Sequence, residues 1–258
     1  MPAADLAAAV CGIAHEAGRH ALDRWRTDFR RWEKGPGDPV CEIDLAVDAM
    51  LRERLSALLP DAGWLSEETA DDPARLGRSQ VWVVDPIDGT RDYLRGRPGW
   101  CVSVALVERG VPVIGVLDAP ARAESWLASA GGGAWRNGVA LSASARDTLG
   151  GARMPIDTLP KADRDLVAVA KPNSIALRIA MVAADEADLV ATQRWGNEWD
   201  IAAAALLARE AGAEVTDALG APLTFNKREP QAFGVLAAAR GMHAAAAERF
   251  AGRPRAAG

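Results

Sequence analysis

The first sixty residues place apolar side chains at helical spacing. Residues 5–26 carry them every three or four positions, which predicts an amphipathic helix. A polar stretch containing Gly and Pro, residues 34–39, follows and predicts a loop. Apolar residues then share one face over residues 44–59, and Pro60 comes next, so a second helix is predicted to end there.

The middle of the chain has the short apolar runs that are typical of β-strands. The predicted strands are Val81–Val84, Trp100–Glu108, Val111–Leu117, Glu124–Ala128 and Ala134–Arg136. Arg109-Gly110 and Asn137-Gly138 lie between such runs and favour tight hairpin turns. The pattern therefore predicts an antiparallel meander with helices packed on one of its faces.

Strands and helices alternate after about residue 150. Strands are predicted at Leu166–Ala170, Asp188–Thr192, Glu214–Thr216 and Phe233–Ala238. Helices are predicted at Ser174–Ala184, at Asp200–Ala211 and from about Met242. Such alternation is typical of α/β structure. We expect two domains, an α+β half over residues 1–148 and an α/β half over residues 149–258.

Composition narrows the class of protein. Of the 258 residues, 49% are hydrophobic and 25% are charged, which indicates a globular chain. The formal net charge of −5 argues against a nucleic-acid polymer as partner. Three widely spaced cysteines without a CxxC pair favour free thiols and a reducing, cytoplasmic location. The N-terminal stretch has neither a basic start nor a long apolar run, so we expect no signal peptide and no membrane span.

One acidic turn stands out at the end of a predicted strand. The run Val81–Val84 leads into Asp85, and Asp88 follows three residues later. Hard divalent cations prefer oxygen ligands, and the Ile87 carbonyl and Thr90 hydroxyl would add neutral oxygens beside the two carboxylates. Asp, Pro and Gly are also ordinary turn formers, so residue types alone leave a metal site and a plain turn equally open.

Three further acidic elements are ambiguous when each is taken alone. Ser66-Glu67-Glu68-Thr69 reads as a solvated loop or a helix start. Asp44 and Asp200 each stand where a helix is predicted to begin, and Asp is a common N-cap. Only the combination of all four elements points to shared chemistry.

That combination resembles the inositol monophosphatase superfamily. The matching strings are WVVDPIDGT (82–90), WLSEET (64–69) and EWDIAAAALLAREAGAEVTD (198–217), and the resemblance runs over nearly the whole chain. It implies an α/β fold, an αβαβα sandwich in which layers of helices and sheets alternate. It also implies an Mg²⁺-dependent phosphomonoesterase that uses a metal-activated water and is sensitive to Li⁺.

The resemblance further implies a ligand set for two or three Mg²⁺ ions. Glu67, Asp85 and the Ile87 carbonyl would hold the first ion. Asp85, Asp88 and Asp200 would hold the second. In chemical terms, such ions lower the pKa of water, neutralise phosphate and stabilise the leaving alkoxide.

The same resemblance implies catalytic and substrate-binding roles. Glu67 and Thr90 would position the attacking water, and Asp44 would help to hold a further, weaker metal ion or its water. The backbone at Gly89 and Thr90 would meet the phosphate at a helix start. The expected substrate-binding residues are Asp88, Gly89, Thr90, Arg194 and Asp200.

Two local features favour one branch of the superfamily. Arg91-Asp92-Tyr93 and the Glu198 before Trp199-Asp200 resemble 3'(2'),5'-bisphosphate nucleotidases. The expected reaction is then 3'-phosphoadenosine 5'-phosphate plus water giving AMP plus phosphate. Departures exist, because residues 152–155 lack the Ser-Arg-Ser-His-like stretch of nucleotidases and the segment up to Ser174 is short. Cys41 also replaces the usual Thr.

Two alternatives therefore stay open. One is a phosphatase for inositol 1-phosphate or another sugar or polyol phosphate, and the other is a non-catalytic binding protein. Arg153, Lys171 and Arg194 are candidate contacts for a second phosphate. Arg194 is the first choice, because it lies six residues before Asp200 and its loop should lead toward that helix. The expected partner is a small phosphorylated metabolite; family members often form homodimers, and the sequence leaves the oligomeric state open.

Overall fold

A computed structural model describes residues 3–35 and 37–251 of the chain. The α-helices are Ala3–Arg24 (α1), Glu42–Leu58 (α2), Thr90–Leu94 (α3), Ile175–Ala183 (α4), Glu198–Glu210 (α5) and His243–Ala251 (α6). The first strands are Arg31–Gly35 (β1), Asp38–Cys41 (β2), Gly63–Ser66 (β3), Gln80–Asp88 (β4), Cys101–Glu108 (β5), Val111–Ala119 (β6) and Glu124–Ser129 (β7). The later strands are Gly133–Arg136 (β8), Val139–Ala140 (β9), Arg153–Pro155 (β10), Val167–Val169 (β11), Leu189–Asn197 (β12), Ala213–Thr216 (β13) and Gln231–Ala239 (β14).

The larger sheet has seven strands in the order β3 to β9. Strands β3 and β4 are parallel, and every following pair is antiparallel. On β4, Trp82 and Val84 pack in a cluster with α1 and α2, whereas Val81 and Val83 pack with α4 and α5. The expectation of helices on one face was therefore wrong. A central strand that is apolar at consecutive positions is buried on both faces.

The smaller sheet has three antiparallel strands in the order β12-β14-β13. On β14, Val235 and Ala237 belong to the cluster that contains α4 and α5, whereas Leu236 and Ala238 pack with α6. Because strand side chains alternate in direction, this sheet also has helices on both faces. The layers therefore run α, β, α, β, α, and the predicted fold class is confirmed.

The core between the two sheets is shared by both ends of the chain. Its members range from Leu65 on β3 to Ala237 on β14, and nearly all of them are small or branched aliphatic residues. Helix α5 contributes mainly alanine and leucine to this core. The segment between β9 and β10, residues 141–152, has no regular structure and contains the division that we predict near residue 148.

Several elements differ from the sequence-based expectation. The paired strands β1 and β2 overlap residues 34–39, where a loop was predicted, because β1 is exposed along nearly its whole length and gives no alternating apolar signal. Strand β4 continues past Asp85 to Asp88 with an irregular register between those two residues. Strand β12 runs to Asn197 instead of ending at Thr192. Strand β12 therefore leads directly into α5, with no intervening loop.

Two further expectations concern the chain as a whole. Cys11, Cys41 and Cys101 are unpaired, as the cysteine spacing indicated. Within the described ranges, none of the helices has the length and apolar character needed to cross a bilayer.

Candidate active site and its carboxylate cluster

The corner between β4 and α3 is built around a glycine. Gly89 has φ 97°, and a Cβ at this position would lie 2.6 Å from the carbonyl oxygen of Gly99. No other residue fits this turn without moving the backbone. The turn brings Thr90 back over the strand end, where its hydroxyl donates to the Ile87 carbonyl at 3.0 Å.

Asp88 is fixed by the start of α4. Its carboxylate accepts hydrogen bonds from Ser174 Oγ at 2.6 Å, from Ala176 N at 2.7 Å and from Ile175 N at 3.3 Å. Burial raises the pKa of Asp88 to about 6, although these hydrogen bonds act in the opposite direction. One carboxylate therefore joins the large sheet to the helical layer between the sheets.

Asp85 is buried within the same strand. Its Oδ1 accepts a hydrogen bond from Ile87 N at 2.9 Å. Burial, together with the negative charges of Glu67, Asp88 and Asp200, raises the pKa of Asp85 well above its usual range. Like charges this close disfavour simultaneous ionisation unless a cation compensates them.

Asp44 and Asp200 occupy the same local position on two helices. Neither is an N-cap. Each lies at the third helical position, and its carboxylate accepts from the backbone N–H of the cap residue, Cys41 at 2.9 Å or Asn197 at 3.0 Å. This arrangement is a capping box, which orients the carboxylate rigidly. The Thr90 hydroxyl lies 3.4 Å from Asp44 Oδ1, so Asp44 supports the β4–α3 corner.

The electrostatic surroundings of these two carboxylates are similar. Burial raises the pKa of Asp44 to about 6, and the Cys41 hydrogen bonds oppose the shift. Burial, with the charges of Asp88 and Glu67, raises the pKa of Asp200 well above its usual range. Cys41 Sγ donates to Asp44 Oδ2 at 2.9 Å. The thiol therefore serves the hydrogen-bonding function that a hydroxyl would serve at this position.

Lys34 brings a positive charge to the edge of the site. From β1, its ammonium contacts Glu67 Oε1 at 2.9 Å and Glu68 Oε1 at 2.8 Å. Burial would lower the pKa of Lys34, but the two glutamates outweigh this effect and raise it. Burial also raises the pKa of Glu68 to about 7. No pattern in the sequence predicts that Lys34 contacts these two glutamates.

One cleft of about 370 Å³ collects most of the predicted site residues. The predicted residues that line it are Glu67, Asp85, Ile87, Asp88, Gly89, Thr90, Arg194 and Asp200. Among them, Glu67, Asp85, Asp88 and Asp200 are called the carboxylate cluster below. Asp44 does not line the cleft and reaches it through Thr90.

The three candidate cations for a second phosphate have different surroundings. Arg153 is held by Asp185 and Asp188 and does not line the cleft. Lys171 pairs with Asp157 at 2.6 Å and lies outside the same cleft. Arg194 does line it, although from strand β12 and not from the predicted loop.

Sequence reasoning missed Arg178 on α4. Its Nε donates to the Pro172 carbonyl at 2.8 Å and its Nη2 to the Asn173 carbonyl at 2.5 Å, while the side chain lines the cleft. Burial, followed by the neighbouring Arg194, lowers the pKa of Arg178, and Asp88 opposes that shift. The available signal was a lone cation in the apolar run of residues 175–183.

Only some residues of the nucleotidase-like motifs line the cleft. Arg91 lines it, but Tyr93 is buried and donates its hydroxyl to the Ala21 carbonyl at 2.8 Å. Glu198 is also buried and accepts from the backbone N–H groups of Asn226, at 2.5 Å, and Lys227, at 3.2 Å. Glu198 therefore orders a neighbouring loop and does not line the cleft.

The carboxylate cluster suits a hard divalent cation by its chemistry. It supplies oxygen ligands alone, and the negative charges of neighbouring members help burial to raise the pKa values of Asp85 and Asp200, a cost that a bound cation would relieve. Among residues 3–35 and 37–251, however, no three His, Cys, Asp or Glu side chains are already arranged to hold a metal ion. Their oxygens instead accept from protein donors, including Lys34 and Ser174. Cation binding therefore requires these side chains to turn toward the ion.

Comparisons with known proteins agree with this geometry. The model of the inositol monophosphatase family matches residues 3–253. A fructose-1,6-bisphosphatase/inositol-1-monophosphatase of Thermotoga maritima is 31% identical over 86% of this chain and 85% of its own. A 3'(2'),5'-bisphosphate nucleotidase CysQ of Aggregatibacter actinomycetemcomitans is 31% identical over 85% and 87%. The solved structure of a Thermotoga maritima IMPase superposes with TM-score 0.81 at 27% identity, over 93% of this chain and 94% of that one.

Proposed function

The chain belongs to the inositol monophosphatase family, whose members are metal-dependent phosphatases, and from that premise we propose a substrate with a second anionic group. The best match is 3'-phosphoadenosine 5'-phosphate, which the protein hydrolyses to AMP and phosphate. Inositol 1-phosphate fits the same chemistry but carries a single phosphate. The choice between these two substrates therefore depends on the side chains that line the cleft beside the carboxylate cluster.

The arginines beside the carboxylate cluster carry this proposal. Arg178 and Arg194 line the same cleft as Asp85 and Asp88. In the described part of the chain, Arg178 Nη1 has no hydrogen-bond partner and Arg194 makes neither a hydrogen bond nor an ion pair. Guanidinium groups bind phosphate oxygens through paired, charge-assisted hydrogen bonds. Two such groups suit a phosphate that is not the one being hydrolysed.

The residues of the β4–α3 corner would act on the scissile phosphate. Glu67, Asp85, the Ile87 carbonyl, Asp88 and Asp200 would hold Mg²⁺, which would neutralise phosphate charge and lower the pKa of water. Glu67 and Thr90 orient the attacking water. Asp44 keeps the Thr90 hydroxyl in place through the 3.4 Å contact. The backbone of Gly89 and Thr90 approaches the phosphate closely, because Gly89 has no side chain.

A sugar or polyol phosphate is the second candidate. It is favoured by the similarity to the Thermotoga protein, which matches this chain as well as the nucleotidase does, at 31% identity in each case. A sugar bisphosphate would also use both arginines. A polyol monophosphate would leave them without a ligand.

The decisive experiment is a phosphate-release assay across a small panel of metabolites with purified full-length protein and Mg²⁺. We expect kcat/KM for 3'-phosphoadenosine 5'-phosphate to exceed that for inositol 1-phosphate by at least about 100-fold. One charge-assisted contact is equivalent to about 1.5–3 kcal/mol, and partial burial of the base adds to it. Equal or faster turnover of inositol 1-phosphate would overturn the nucleotidase proposal and leave the family chemistry intact.

A further inference from the structure

Trp195 is exposed beside the catalytic cleft. At 67% relative exposure it is the most exposed of the nine tryptophans, all of which lie in the described ranges. It lies on β12 after an irregularity in register at Thr192, directly across from Phe233 on β14. The two rings meet edge to face, with centroids 5.4 Å apart and planes at 65°. Irregularities of this kind redirect side chains, and Phe233 then supports the ring from one side.

A second cavity lies on the other side of this ring. It has a volume of about 600 Å³, and its lining includes Leu219, Leu223 and Phe233 in addition to Trp195. Leu219 is itself 60% exposed, so two strongly exposed apolar side chains line one cavity. Trp195 also lines the catalytic cleft and therefore stands at the boundary between the two spaces. A substrate held by its phosphate in the cleft can extend past this ring.

We propose that Trp195, supported by Phe233, is a stacking platform for an aromatic ring carried by the alcohol that leaves the phosphate, such as the base of a nucleotide. This inference rests on the proposed function in one respect: the protein must be a phosphatase, but its natural substrate need not be a nucleotide. Trp195 follows Arg194 and precedes Asp200 by five residues on a continuous strand and helix, so the platform is held rigidly relative to the carboxylate cluster.

Shape and chemistry favour an aromatic occupant over a polyol. Base–aromatic stacking tolerates any base, because each has a π-face, and it excludes water from the tryptophan ring. A polyol has hydroxyl groups that need hydrogen-bond partners. The ring faces of Trp195 and Phe233 supply none, so these partners would have to be the Trp195 indole N–H or the polar side chains that also line the cavity, which include Asp217, Lys227 and Gln231. The neighbouring Arg194 meets an anionic group on the same ligand, whereas the base lies on the ring.

Matched substrate pairs test the platform directly. In the first pair, 3'-phosphoadenosine 5'-phosphate is compared with its abasic ribose 3,5-bisphosphate counterpart. In the second pair, 2-naphthyl phosphate is compared with glycerol 2-phosphate. This second comparison requires only that the protein is a phosphatase. Trp195→Ala should raise KM about tenfold for the aromatic member of each pair and leave kcat unchanged, because stacking remote from the reacting bond is uniform binding. The non-aromatic members should be unaffected.

Two controls accompany this variant. Trp195→Phe should recover most of the lost affinity, because a ring remains. Trp135→Ala removes another exposed tryptophan, 41% exposed on β8, and should change nothing. Equal changes in KM for both members of a pair, or no change in either pair, would overturn the platform. A wild type that prefers inositol 1-phosphate, with the naphthyl effect retained, would instead refute the nucleotidase function alone.

Discussion

The carboxylates of the cleft and the Arg194 side chain are held in different ways. Asp88 accepts three hydrogen bonds from the start of α4, and Asp200 is fixed by a capping box. Arg194, in contrast, is exposed and has no partner in the described part of the chain. The residues that we propose for the chemistry are therefore held by the framework of β4, α4 and α5, whereas the framework does not constrain Arg194, the side chain that we propose for substrate selection.

This difference explains why the sequence motifs predict the carboxylates of the cleft more readily than its guanidinium groups. A carboxylate that must satisfy backbone N–H groups is tied to a recognisable local sequence. A free guanidinium can be supplied from many positions, so no local spacing predicts it. Relatives with the same fold and different substrate names are the expected result.

Removing divalent cations should have the largest effect. Protein treated with EDTA should lose phosphate release entirely and regain it with Mg²⁺, because the carboxylate cluster cannot neutralise a phosphate by itself. Li⁺ and excess Ca²⁺ should inhibit the restored enzyme. The thermal midpoint of the metal-free protein should rise on adding Mg²⁺, since the ion relieves repulsion among the carboxylates. Full phosphate release by metal-free protein would refute the metal-dependent mechanism.

Asp85→Asn should lower kcat by on the order of 10³-fold or more, because Asp85 is proposed to contact both metal ions. The metal-free variant should melt at the same temperature as the wild type or higher, since one buried charge is removed. Asp118→Asn is a matched control, because Asp118 is similarly buried but does not line the cleft. A folded Asp85→Asn enzyme with near-normal kcat would remove Asp85 from the proposed site.

The sequence predicted the layered fold and the carboxylate cluster but not how far each element extends. Asp85 and Asp88 were recognisable only in combination with the other acidic elements, because the end of an apolar strand fits a plain turn equally well. Lys34 and Arg178 were not, because a lysine on a polar hairpin and an arginine on an apolar helix carry no information on what they face. The contacts of Glu198 could not be predicted either, since only the tertiary structure shows that it holds residues 226–227.

The effect of pH on protein stability should be smaller than the two effects above, and it should depend on whether Mg²⁺ is bound. Asp44 and Asp88 have folded pKa values of about 6, above the ordinary value of about 4. The folded state then binds more protons than the unfolded state between these values, so stability falls as pH rises through this window. Each group contributes about 1.4 kcal/mol per pH unit. Asp85 and Asp200 extend the window upward.

Thermal melts of metal-free protein at pH 5.5 and pH 7.5 check this sign. The midpoint should be higher at pH 5.5, and Mg²⁺ at pH 7.5 should close the gap. A midpoint that rises steadily with pH in the absence of metal would show that the carboxylate cluster does not repel itself as the structure indicates.

The most direct test of the division between chemistry and selection is the substrate preference of Arg194→Ala. The wild-type ratio of kcat/KM for 3'-phosphoadenosine 5'-phosphate over inositol 1-phosphate should fall about tenfold, through a higher KM for the nucleotide. Hydrolysis of inositol 1-phosphate should stay nearly unchanged, as should both substrates in an Arg240→Ala control at an exposed position outside the cleft. An unchanged ratio, or an equal loss on both substrates, would contradict the account.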